Sequence, residues 1–73
     1  MENVTQIVTL AGARVSAGFT QQEAADRVNV TKQTIISWEN GKTLPNTAKA
    51  QELADMYQMP LQYIIFGKKS TVV

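Results

Sequence analysis

Thr31-Lys32-Gln33-Thr34-Ile35-Ile36-Ser37-Trp38-Glu39-Asn40, closed by Gly41, is the stretch that decides how this 73-residue chain is read. Thr31 has the side chain of a helix cap and Gly41 accepts positive φ, so a helix of about nine residues is expected between them. Turned at about 100° per residue, that helix puts Ile35 and Trp38 on its inward stripe. Lys32, Gln33, Thr34 in part, Ser37 and Asn40 then lie outward or flanking. The outward set is made of donors and acceptors, with no acid before Glu39. Short polar side chains of this kind can simply solvate a surface helix. They also suit a phosphate-lined groove, where acids are repelled, glutamine pairs with adenine, lysine with guanine, and serine or threonine with any base. The segments on either side distinguish the two.

Upstream, Thr20-Gln21-Gln22-Glu23 has the T-x-x-E form of a capping box and predicts a helix to about Val28. Asn29-Val30 interrupts its pattern, and asparagine is the residue after glycine that most readily turns left-handed at a helix end. Two short helices joined by a tight turn make a helix-turn-helix. Before them, Val4, Ile7, Val8, Ala11 and Val15 recur at spacings of three and four, with Leu10 and Arg14 on an adjacent stripe. A first helix is expected over about Asn3 to Ala17, weakened inside by Gly12 and stopped at Gly18. Downstream, Asn46 is a cap for a fourth helix to about Gln58 that buries Ala50, Leu53, Ala54 and Tyr57. Pro60 opens a short fifth helix to about Phe66, since proline at a first helical position loses no hydrogen bond. The fold class read from this punctuation is all-α, a compact five-helix bundle, with residues 1–67 as one domain and 68–73, including Lys68 and Lys69, as a tail.

Composition narrows the function. Cysteine and histidine are both absent, which removes disulfides, the usual zinc sites and imidazole or thiolate catalysis. No enzyme, no metal and no cofactor are expected. Glu23, Asp26, Glu52 and Asp55 read as cap and solvated helix-face charges. No apolar run approaches the roughly 18 to 20 residues of a membrane span, and Met1-Glu2-Asn3 does not begin a secretory signal, so a cytoplasmic protein without a membrane partner is expected. The net charge is only +1, a balance that announces no partner. Its distribution says more: Lys32, Lys42 and Lys49 against Glu39 make the middle of the chain electropositive.

Phe19-Thr20-Gln21-Gln22-Glu23-Ala24-Ala25, Val28-Asn29-Val30-Thr31, then Ile35 and Trp38-Glu39-Asn40-Gly41-Lys42, resembles the Cro/CI-type helix-turn-helix family, also called the XRE family, over about Leu10 to Gly67. The resemblance implies a lambda-repressor-like DNA-binding domain that binds a double-stranded, pseudo-palindromic operator as a homodimer, with no small-molecule ligand. Carried onto this sequence, it implies base contacts from Thr31, Lys32, Gln33, Thr34 and Ser37, Gln33 first among them. It implies phosphate contacts from Gln21, Asn40, Lys42 and Thr43, and a structural ion pair between Arg14 and Glu39. Asn29 departs from the usual turn glycine and Ala24 from a usual leucine, which thins the packing there. Ile36 lies partly outward where a polar residue is expected, and either meets a thymine methyl or packs against the following loop, the second being the commoner role. The same fold also serves as a protein-interaction module, an antitoxin or antirepressor, that reads no operator.

Overall fold

A computed structural model describes residues 7–66. In chain order these form β1 (Val8–Thr9), α1 (Leu10–Ala17), α2 (Gln21–Arg27), α3 (Lys32–Asn40), α4 (Thr47–Tyr57), a 3-10 turn (Leu61–Tyr63) and β2 (Ile64–Ile65).

The same local chemistry bounds all four helices. Thr9, Thr20, Thr31 and Asn46 each precede a helix in extended conformation. Their side-chain oxygens accept from the backbone N–H of Gly12, Glu23, Thr34 and Lys49, at 3.0, 3.0, 3.2 and 2.8 Å. Each satisfies one of the orphan donors of a helix start. At Thr20 the box closes, because Glu23 Oε1 accepts from the Thr20 N–H at 2.9 Å. A residue of positive φ follows each helix, at the cap itself for Gly18 (88°), Gly41 (80°) and Gln58 (56°) and one residue beyond the cap Val28 for Asn29 (64°). The N–H just beyond folds back to the carbonyl five residues earlier: Phe19 to Arg14, Val30 to Ala25, Lys42 to Ser37 and Met59 to Ala54, all within 3.1 Å. This closure satisfies the last carbonyls and reverses the chain sharply. The helices can therefore be short and still pack on one another.

Leu10, Ala13, Ala24, Ala25, Val28, Ile35, Trp38, Leu53, Ala54, Tyr57 and Ile64 form the core. Ala24 and Ala25 are fully buried, and it is their small size that lets α2 and α3 approach closely. Trp38 and Ile35 face inward as their spacing requires, while Ala50 is only half-buried. Lys49 Nζ reaches across from α4 to donate to the Val28 carbonyl at 2.6 Å, tying the end of α2 to the fourth helix.

Two expectations fail at the edges. Among the described residues there are four helices and a small sheet, not five helices: Pro60 starts only a 3-10 turn, after which Ile64 and Ile65 run extended. They pair in parallel with β1, Val8 opposite Ile64 and Thr9 opposite Ile65. Consecutive β-branched residues lose little in a strand and more in a helix. Likewise α1 begins at Leu10, not near Asn3, because Thr9 caps it. The stripe counted through Val8 crossed that boundary and came out in the wrong phase. Leu10 and Ala13 are the buried residues of α1, whereas Ile7 and Val15 are 58% and 63% exposed; Val4 lies outside the described residues. Gly12 belongs to the first turn and is not an interior weak point. A Cβ there would stand 3.1 Å from the capping Thr9 oxygen. Lys68 and Lys69 also lie outside the described residues.

Candidate nucleic-acid interface

The positions implied as base contacts fall at the start and outer side of α3. Thr31, Lys32 and Gln33 are exposed, and Thr34 and Ser37 half-buried. Thr31 and Thr34 are joined to each other, their hydroxyl oxygens 3.0 Å apart, and the Thr31 oxygen also caps the helix. Each therefore brings less free hydrogen-bonding capacity to a base edge than Lys32, Gln33 or Ser37. Asn40, Lys42 and Thr43 follow at the other end of the helix, all exposed. The backbone bonds from Lys42 and Thr43 N–H to the Ser37 carbonyl, 2.9 and 3.4 Å, fix that loop against α3. Ile36 is half-buried and not among the residues packed on the core, which places it at the margin of this surface.

The acid at the end of α3 does not share that surface. Glu39 turns inward: Arg14 Nε donates to its Oε2 at 2.7 Å, with only 6% of the Glu39 side chain exposed. Arg14 Nη2 lies 3.4 Å from Glu39 Oε1, and Arg14 Nη1 donates to the Phe19 carbonyl at 2.8 Å. The ion pair that the family resemblance implied thus links α1, the chain before α2, and the end of α3. Sequence reasoning missed a fourth member. Gln21 Nε2 donates to Glu39 Oε1 at 2.9 Å, an approach between residues 18 positions apart that no local spacing signals. Tyr57 lies near the same group. Its hydroxyl is buried and has no hydrogen-bond partner among the described residues. Burial first, and the Glu39 charge second, push its pKa up to about 12 against an opposing pull from Arg14.

The electropositive middle is thinner in three dimensions than in sequence. Lys49 is engaged with the Val28 carbonyl and, at 3.3 Å, with Glu52, which leaves Lys32 and Lys42 as its exposed lysines. Arg27 stacks over the Phe19 ring, 5.1 Å from its centroid. No helix of the described residues is long and apolar enough to cross a membrane.

Comparison with known proteins identifies the family. The profile of the helix-turn-helix family matches residues 10–64, from the first residue of α1 into β2. An uncharacterized HTH-type transcriptional regulator of Methanothermobacter thermautotrophicus is 46% identical over 41 residues, 56% of this chain and 59% of that protein. The HTH-type transcriptional regulator ImmR of Bacillus subtilis is 30% identical over 56 residues, 77% of this chain and 44% of that protein. The chain therefore spans about half the length of the curated relatives it matches. No solved structure matches it significantly. With a capped helix, a left-handed turn at Asn29 and a second helix whose outer side is polar, and with the family profile covering most of its length, the chain belongs to the XRE-type helix-turn-helix family.

Proposed function

We propose that this chain is a sequence-specific DNA-binding transcriptional regulator of the repressor kind, which sets α3 into the major groove of a pseudo-palindromic operator. The observation that carries this reading is the inward turn of Glu39. With its one carboxylate held by Arg14, α3 presents Lys32, Gln33 and Ser37 with no acid among them. A groove walled by phosphates favours such a helix over one that shows an unpaired carboxylate, which the phosphates repel. Gln21 and the free amides at the start of α2 hold one phosphate strand, and Asn40, Lys42 and Thr43 hold the other. Two copies related by a two-fold axis place their α3 helices roughly 34 Å apart, in successive major grooves. Regulation follows from occupancy of the site, in the cytoplasm where the DNA lies, with no chemical step. Similarity to two proteins named as transcriptional regulators supports the reading.

Selection of bound fragments from a random duplex library, followed by sequencing, tests it directly. The expected result is a motif with two inverted half-sites about one helical turn apart. A library that emerges unenriched at low and moderate salt sinks the proposal.

A further inference from the structure

One face of the molecule is apolar and acidic together, and the DNA contacts proposed above leave it unused. Between the last turns of α1 and α4 lies a depression of about 410 Å³, with Phe19, Met56, Tyr57 and Met59 in its lining. Phe19, Met56 and Met59 are only half-buried. Two further depressions adjoin it, one sharing Phe19 and the other Met56. Glu23 and Asp26 line the first, Glu52 and Asp55 the second, and all four are exposed. Arg27 belongs to both and stacks on the Phe19 ring. Four carboxylates thus stand against one guanidinium. Among the described residues only Glu52 has a lysine or arginine within ion-pair distance, Lys49 at 3.3 Å. Asp26 and Asp55 accept from the neutral amides of Gln22 and Gln51, at 3.0 and 2.9 Å.

The charge selects the occupant. Such a face repels DNA and anionic lipid. A second copy related by a two-fold axis would set the patch against itself, carboxylates opposite carboxylates. Among the described residues no three carboxylates gather closely enough to hold a metal ion. A cationic protein segment meets none of these objections, and the apolar lining gives it surface to bury.

We propose that this face docks a basic, amphipathic segment of a partner protein. The segment sets a large apolar side chain against Phe19, Met56 and Met59, and lysines or arginines beside the carboxylate pairs Glu23–Asp26 and Glu52–Asp55. The two methionines, unbranched and flexible, adapt to apolar groups of differing shape. No residue lining the three depressions belongs to α3 or to the loop that follows it. Docking therefore does not compete with an α3 held in DNA, and it does not depend on α3 reading DNA.

Selection of a random-peptide library against the full chain, followed by sequencing, tests the proposal. The selected peptides are expected to carry apolar residues flanked by lysine or arginine, and to shift the amide signals of Phe19, Met56 and Met59 more than those of α3. Glu52→Gln with Asp55→Asn alters exposed side chains alone and is expected to weaken a selected peptide about two- to thirtyfold. Serine in place of the peptide's own apolar residues, a change that leaves the protein intact, is expected to weaken it about tenfold or more. A library that emerges unenriched, peptides without an excess of basic residues, or binding that either change leaves untouched overturns the proposal. Shifts centred on α3 do the same. Self-association of the free chain through Phe19 and Met56 gives the face to a second copy, and nuclear Overhauser contacts from residues 68–73 to the Phe19 ring give it to the chain's own tail; each overturns the partner. Duplex binding, measured separately, is expected to persist whichever way these results fall.

Discussion

Arg14 and Glu39, 25 residues apart, meet at 2.7 Å with 14% and 6% of their side chains exposed, and no other ionic contact among the described residues joins two helices. Such a pair need not raise net stability, because desolvating both ions offsets much of their attraction. Its weight shows when one partner is lost.

Glu39→Ala leaves a nearly buried guanidinium without its counter-ion and is expected to cost about 3 kcal/mol. A domain of this size commands on the order of 4 to 10 kcal/mol in all. Replacing both partners, as Arg14→Met with Glu39→Met, is expected to cost under about 1 kcal/mol. Urea unfolding of the two variants decides it. Equal losses would mean that the pair acts through packing and not through charge.

The Tyr57 hydroxyl gives a pH signature. Below about pH 10 the phenol is protonated whether the chain is folded or not, so pH has no effect through it. Between about pH 10 and the folded value of about 12, the unfolded chain releases the proton and the folded chain keeps it. The folded state then binds more protons, and stability falls as pH rises, by about 2 to 3 kcal/mol in total. Tyr57→Phe is expected to flatten this part of the curve relative to wild type. At neutral pH it should leave stability unchanged or raise it by about 1 kcal/mol, since it deletes a buried hydroxyl with no protein partner. Thermal unfolding of both proteins from pH 7 to 12 shows whether the curves converge or stay parallel, and parallel curves would remove Tyr57 from the account.

The sequence revealed most where structure is set locally. Thr20 with Glu23, Asn29, Thr31, Gly41 and Asn46 each act within five residues of themselves, and the turns and caps they predict are present. Its ends misled for the opposite reason. Val8 and Ile64 are partners across the whole chain, and a helical spacing counted through Val8 cannot register a strand that exists only because Ile64 lies beside it. The interface divides in the same way. Which residues of α3 face outward follows from helical period, but the capture of Gln21 by Glu39 and of Lys49 by the Val28 carbonyl is tertiary. Neither pairing has a counterpart in spacing or composition.

Backbone handedness offers a local test. Gly18 holds φ at 88°, and a Cβ placed on it would touch nothing within 4 Å, so Gly18→Ala is a pure backbone penalty of about 1 to 2 kcal/mol. Asn29→Ala at φ 64° is expected to cost about 1 kcal/mol, because asparagine tolerates that region better than alanine does. Both should move the urea midpoint without changing the slope of the transition. A changed slope would mean a rearranged turn.

The two ends of α3 should behave differently toward DNA, because one is exposed at the helix start and the other is anchored beyond its end. Gln33, exposed in the first turn, carries an amide that can donate to and accept from one base edge at once. Its loss is expected to cost about 1 to 3 kcal/mol on the selected site and far less on mixed sequence, narrowing the ratio between them. Lys42 is fixed beyond the helix by its backbone bond to the Ser37 carbonyl and offers a point charge, which reads phosphate and not sequence. Lys42→Ala should therefore weaken both duplexes by the same factor. It should also lower the slope of log affinity against log salt by about 0.9 per subunit, as expected for one phosphate no longer neutralised. Gln33→Ala should leave that slope unchanged. Titrations of the two variants on both duplexes at several salt concentrations separate the roles. If Gln33→Ala lowered affinity equally on the two duplexes, base reading would have to move to Lys32 and Ser37.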